Sequence, residues 1–77
     1  MKNITIYSTP TCTYCTMAKD FLHDRGIPFT EINVAGNPEK IKEMVDKSGQ
    51  KGVPVIDIDG DIIVGFDKAV FEEKLGL

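Results

Sequence analysis

The sequence predicts an α/β domain, a four-stranded mixed sheet flanked by three helices in the order β-α-β-α-β-β-α. Three observations predict it. Short runs rich in β-branched residues recur at four places, and stretches with helical spacing separate the first three of them. The last two runs are divided only by Asp59-Gly60, a two-residue hairpin signal. Strands joined through helices are expected to lie parallel, linked by right-handed crossovers, with the hairpin adding an antiparallel edge. Helices are expected on both faces of the sheet.

Each element follows from local chemistry. Ile4-Thr5-Ile6-Tyr7 alternates as a strand does, and Ser8-Thr9-Pro10-Thr11 breaks the alternation. A helix is expected from Cys12, with Ala18, Phe21 and Leu22 on one face and Asp24-Arg25-Gly26 as its stop. Residues Pro28 to Val34 read as a second strand. Asn37 and Pro38 are a strong helix start, a capping side chain followed by proline at the first turn; Ile41, Met44 and Val45 form the apolar face and Ser48-Gly49 the end. Val53 to Ile58 is a third strand, with Pro54 expected at its entrance because proline cannot donate to a sheet ladder. Ile62-Ile63-Val64 pairs back across the hairpin. A short last helix, with Asp67 as its cap, carries Ala69, Val70, Phe71 and Leu75.

The chain has 77 residues and reads as one domain, 1–77, without linker or repeat. A chain this short buries only about 60% of the surface its unfolded form exposes. Its two cysteines are three positions apart, so a bridge between them closes too short a loop to staple the fold. Stability must come from an apolar core, for which a 42% hydrophobic content suffices, and the cysteines are left for chemistry. The net charge of -3, with both signs interspersed, gives no reason to expect nucleic-acid or membrane binding. No apolar run approaches the ~20 residues that cross a bilayer. Met1-Lys2-Asn3 leads straight into a strand pattern without a signal-peptide layout. A soluble monomer in the reducing cytoplasm is the expectation.

Cys12-Thr13-Tyr14-Cys15 stands where the first strand hands over to the first helix. A thiol at a helix N-terminus faces unpaired N–H groups and the positive end of the macrodipole, which favour thiolate, the nucleophilic form. The i, i+3 spacing brings the second thiol to the same side of the first turn. Cys12, more exposed, is the expected nucleophile and Cys15, one turn deeper, the resolving thiol. Two blander readings stand beside this one. Half a zinc site is conceivable, but zinc takes four ligands and the chain offers two cysteines and a distant His23. Two inert core cysteines would sit on an apolar stripe, whereas Thr11, Thr13 and Thr16 surround these. Cys-x-x-C beside a βαβ pattern is a general thioredoxin-like signature, and redox chemistry is the favoured reading. Tyr7 is expected in the core, and His23, Lys19, Lys47 and Lys51 on the surface.

The run Ile6-Tyr7-Ser8-Thr9-Pro10-Thr11-Cys12-Thr13-Tyr14-Cys15 resembles a glutaredoxin active site. Gly52-Val53-Pro54 is similar to the family's Thr-Val-Pro element, and Gly65-Phe66-Asp67 to its Gly-Gly-x-Asp segment. The resemblance spans nearly the whole chain and implies the thioredoxin fold, with a cis Val53–Pro54 peptide beside the dithiol. It implies a groove in which the Val53 backbone pairs with the cysteine of glutathione while Asp67 and nearby helix N–H groups hold the γ-glutamyl end. Thr11, Thr13, Tyr14, Lys51, Pro54, Gly65 and Phe66 complete the implied binding set, Tyr14 as a groove wall and Lys51 toward the glycine carboxylate. No tightly bound cofactor and no metal are implied; glutathione is the co-substrate and disulfide-bearing proteins are the partners. Without the resemblance, Val53 and Pro54 read simply as the start of a buried strand and Asp67 as a helix cap.

Three positions depart from the family pattern. Thr13 replaces the usual proline after the first cysteine, Thr9 a common basic residue, and Gly52 the threonine before Val-Pro. Phe66 beside Gly65 is also similar to small glutaredoxin-like redoxins that take electrons from thioredoxin reductase and serve ribonucleotide reductase. A function of another class is a dimeric module sharing an iron–sulfur cluster or zinc. Relatives of that kind typically carry a single active-site cysteine followed by Gly-Phe-Ser, so Thr13 and Cys15 count against it.

Overall fold

The computed structural model describes residues 3–76. β1 (Ile4–Ser8) leads to α1 (Thr13–Asp24), β2 (Thr30–Asn33), α2 (Pro38–Ser48), β3 (Val55–Ile58), β4 (Asp61–Val64) and α3 (Lys68–Leu75). Every expected element is present in the expected order. The sheet runs β2-β1-β3-β4, with β1 parallel to β2 and the β3–β4 hairpin antiparallel.

One expectation fails. The strand after α2 was expected parallel, like the strand after α1, but β3 lies antiparallel beside β1, pairing Tyr7 with Val55 and Ile4 with Ile58. Alternation of side chains carries no strand direction. The stretch 49–54 between α2 and β3 returns the chain to the end of the sheet where β1 finishes, and β3 starts there. That reversal sets the entrance of β3 beside the exit of β1, where the cysteines lie.

Alternation along the strands makes two cores. Ile4, Ile6, Ile56, Ile58 and Ile63 face α1 and α3, meeting Ala18, Phe21, Leu22 and Phe71. Tyr7, Val34 and Val55 face α2 through Met44, with Ile41 at the margin. Helices therefore cover both faces. Phe21, Phe66 and Phe71 pack edge to face, with centroids 5.1–5.8 Å apart, a geometry that aligns ring edges with the π-faces of their neighbours. At the hairpin tip, Asp59 and Gly60 both take positive φ (50° and 95°), the turn conformation that the Asp-Gly pair favours. No helix among the described residues is long and apolar enough to cross a membrane.

α2 is tied to the sheet by a polar cluster. The Tyr7 hydroxyl donates to Glu43, and Lys47 pairs with Asp57 at 3.0 Å while lying over the Tyr7 ring. Lys47 is exposed, as expected, and also joins a network between α2, β1 and β3. Hydrogen bonding to Tyr7 and Asp57 holds its ammonium well above the usual range.

Candidate active site

The chain leaves β1 at Ser8, turns through Thr9-Pro10-Thr11 and enters α1 with Cys12 as N-cap. Cys12 therefore sits just before the first helical residue, in extended conformation, with its side chain pointing at the open helix start. The Cys15 N–H donates to Cys12 Sγ at 3.2 Å, doing for sulfur what a capping oxygen does in an ordinary helix. From the other side, the Cys12 S–H donates to the Val53 carbonyl at 3.7 Å. The Cys12 backbone is also fixed, its N–H bonded to Thr9 O and its carbonyl accepting from Thr16. The sulfur is thereby aimed at the loop that opens β3.

The two thiols are free and occupy different environments, Cys12 partly exposed and Cys15 fully buried. Burial, reinforced by the hydrogen bond with Cys12, pushes the Cys15 thiol up to about 11, against smaller opposing effects of the Thr9 N–H and Lys19. A buried, protonated thiol directly behind a reachable one is the arrangement that a nucleophile and a later-acting partner require.

Val53 and Pro54 form the facing wall. Their peptide bond is cis, Pro54 is buried, and Pro54 O accepts the Gly65 N–H at 2.8 Å. Val53, Pro54 and Gly65 therefore belong to one cluster beside Cys12. The Gln50 side chain braces the approach to this wall, accepting from Gly52 N–H through Oε1 at 2.6 Å and donating to Gly52 O at 2.9 Å. A Cβ at Gly52 would meet Gln50 Oε1 at 2.7 Å, so a threonine at this position would displace the brace.

The remaining implied site residues are more scattered. Thr11, Thr13 and Tyr14 are exposed around the helix start, Tyr14 at 60%. Lys51 is exposed in the loop before Val53. Asp67 caps α3, accepting from Ala69 N–H at 3.0 Å and Val70 N–H at 3.4 Å. The Phe66 ring packs on Phe21 and Phe71 in the core. Tyr7 is buried and His23 exposed, as expected. Among the described residues no group of three His, Cys, Asp or Glu side chains converges as a set of metal ligands.

Sequence reasoning missed one feature of the site. Lys19, read as an ordinary surface charge, pairs with Glu31 at 2.7 Å, and the same carboxylate oxygen accepts the hydroxyl of buried Ser8 at 2.8 Å. Spacing places Lys19 on the Cys15 face of α1 at i+4, but the contact with Glu31 crosses to β2 and has no local signal.

Known proteins resemble this chain closely. The glutaredoxin family model matches residues 4–63. An uncharacterized glutaredoxin-like 8.6 kDa protein in the rubredoxin operon of Clostridium pasteurianum is 50% identical over 72 residues, 94% of this chain and 96% of that protein. Glutaredoxin 3 of Escherichia coli K12 is 43% identical over 67 residues, 87% of this chain and 81% of its own length. The crystal structure of a glutaredoxin from Archaeoglobus fulgidus superposes with a TM-score of 0.88, at 22% identity and covering 97% of this chain and 87% of that one, which speaks for the fold. With the family model over most of its length and a relative at half identity, this chain belongs to the glutaredoxin family, within the thioredoxin superfamily.

Proposed function

We propose that this thiol–disulfide oxidoreductase reduces protein disulfides and glutathione mixed disulfides through Cys12 and Cys15, with glutathione as its electron donor. The observation that carries the reading is the placement of the Cys12 sulfur. It lies between a helix-start N–H, 3.2 Å away, and the Val53 carbonyl at the open entrance of β3, 3.7 Å away.

At the open start of α1 the Cys15 N–H donates to Cys12 Sγ, and the sulfur faces the entrance of β3. Cys12 attacks one sulfur of the substrate disulfide, a new S–S bond forms to Cys12, and the other substrate sulfur leaves as a thiolate that takes a proton. Two routes complete the turnover. In the first, Cys15 loses its proton and attacks Cys12 Sγ, closing the Cys12–Cys15 disulfide and releasing the second substrate thiol. Two glutathione molecules then reopen that disulfide and depart as glutathione disulfide. In the second, glutathione attacks a glutathionylated Cys12 directly, so Cys15 is not needed. The Val53 backbone beside Cys12 supplies the edge on which an extended cysteinyl segment pairs, and Lys51 and the Asp67 helix start are assigned to the two carboxylate ends of glutathione.

The test uses two variants. Cys12→Ser should abolish reduction of both substrate types. Cys15→Ser should accumulate a mixed disulfide, seen by intact mass as one added glutathionyl group, yet retain turnover on glutathionylated substrates. Activity surviving in Cys12→Ser would refute the assignment of the nucleophile.

A further inference from the structure

The dithiol route contains a step that the Cys12 and Val53 contacts do not support. Cys15 must become a thiolate to attack, yet its surroundings hold it protonated. With a thiol at about 11, only about one molecule in ten thousand is ionised at pH 7. The groups that act on Cys15 are few. Cys12 shares its turn of α1, the Thr9 N–H comes from the loop after β1, and Lys19 stands one turn further along α1. Glu31 of β2 and Asp20 of α1 act on Lys19 in turn. Burial and Cys12 oppose ionisation; the Thr9 amide and Lys19 favour it, and Lys19 carries the positive charge among them.

Geometry keeps that charge where it acts. Lys19 and Cys15 stand at i+4 and i on α1, the spacing at which helical residues are neighbours on one face. Lys19 Nζ is 2.7 Å from Glu31 Oε2, and its side chain is only 27% exposed. Glu31 is itself fixed, because the same oxygen accepts the Ser8 hydroxyl at 2.8 Å and Ser8 is buried in β1. Three elements thus fix an ammonium group on the residue that follows Cys15 by one helical turn. A pair made only for surface solubility needs no buried hydroxyl to orient its carboxylate.

We propose that Lys19, held by Glu31 and Ser8, is a positioning residue for the resolving half-reaction, stabilising the Cys15 thiolate as it attacks Cys12. The proposal rests on the resolving role given to Cys15 above. In the step it assists, the Cys15–Cys12 bond forms, the bond from Cys12 to the substrate sulfur breaks, the Cys15 proton passes to solvent and the electron pair leaves on the substrate thiolate. The direct glutathione route does not use Lys19.

The two half-reactions separate in stopped flow with one equivalent of 4,4′-dithiodipyridine, an uncharged disulfide. Attack by Cys12 releases one thiopyridone, and attack by Cys15 on the mixed disulfide releases the second. Lys19→Gln should leave the first phase unchanged and slow the second by roughly threefold to tenfold at pH 7, with its pH profile displaced to the alkaline side. Lys19→Arg, which keeps the charge, should restore most of the rate. Superimposable second-phase profiles for wild type and Lys19→Gln would overturn the proposal. So would equal slowing of both phases, or a Lys19→Arg protein as slow as Lys19→Gln. Cys15→Ser serves as the control, since it should lose the second release altogether. Persistence of that release in Cys15→Ser would overturn the dithiol reading itself, a result distinct from a failure confined to Lys19.

Discussion

Cys12 and Cys15 are separated by one helical turn, yet one opens to solvent and the other is fully buried, and two measurable differences follow. The first is labelling. Iodoacetamide at mildly acid pH should modify Cys12 well before Cys15, because only Cys12 combines access with a helix-start environment. Equal rates, read by peptide mass analysis, would contradict the assigned roles. The second concerns stability in alkali. The folded protein holds the Cys15 thiol at about 11 against an ordinary 9.0, chiefly through burial. Between those values the unfolded chain has lost the proton that the folded chain keeps, so stability must fall as pH rises. Below pH 9 the contribution is fully present, and it disappears as pH passes 11. Its size is on the order of 3 kcal/mol. Urea titrations of the reduced protein at pH 8 and pH 11 should show this loss in wild type, while Cys15→Ser should lack that increment, whatever fixed cost the buried hydroxyl adds. Parallel pH dependences in the two proteins would show that Cys15 keeps its ordinary ionisation in the fold.

At the start of α3, one side chain carries two readings that a single pair of variants separates. Asp67 accepts from two N–H groups of the first turn, which is the work of a helix cap, and it is also assigned to the γ-glutamyl end of glutathione. Asparagine caps as well as aspartate but has no charge, whereas alanine does neither. Asp67→Ala should therefore cost about 1 kcal/mol of stability and raise the KM for glutathione. Asp67→Asn should keep the stability and still raise the KM. An unchanged KM in both, measured beside their thermal melts, would leave Asp67 as a cap alone. The elements themselves were legible because their signals are local: Asn37-Pro38, Asp59-Gly60 and Asp67 each set a boundary within a residue or two. The direction of β3 was not legible, since it depends on where the stretch 49–54 delivers the chain and no side-chain periodicity records that. The Lys19–Glu31–Ser8 cluster escaped for a related reason. It joins α1, β2 and β1, and becomes a cluster only once β1 and β2 lie side by side.

Across the whole molecule, the distribution of lysines bears on the choice of electron donor. Glutathione carries two carboxylates, and a site that prefers it offers cations or helix N–H groups to both. Lys19 and Lys47 are engaged, with Glu31 and with Asp57. Thr9 stands where the family commonly has a base, which leaves exposed Lys51 for the glycine end. A charge-assisted contact contributes about 1.5–3 kcal/mol, so one fewer lowers affinity by roughly tenfold or more. Glutathione should therefore reduce this protein, but less efficiently than it reduces a relative with the basic residue in place. Adding the missing charge should reverse the deficit: Thr9→Lys should lower the apparent KM for glutathione by up to about tenfold. Lys51→Ala should raise it, and added salt should raise it in every variant because the contacts are ionic. The competing donor is thioredoxin reductase, which Gly65-Phe66 favours. Oxidation of NADPH distinguishes the two, with glutathione and its reductase in one cuvette and thioredoxin reductase in the other, both containing a disulfide substrate. Turnover in the first cuvette that responds to Thr9→Lys and Lys51→Ala in opposite directions would support glutathione. Strong turnover only in the second, indifferent to both substitutions, would reassign the donor while leaving Cys12 as the nucleophile.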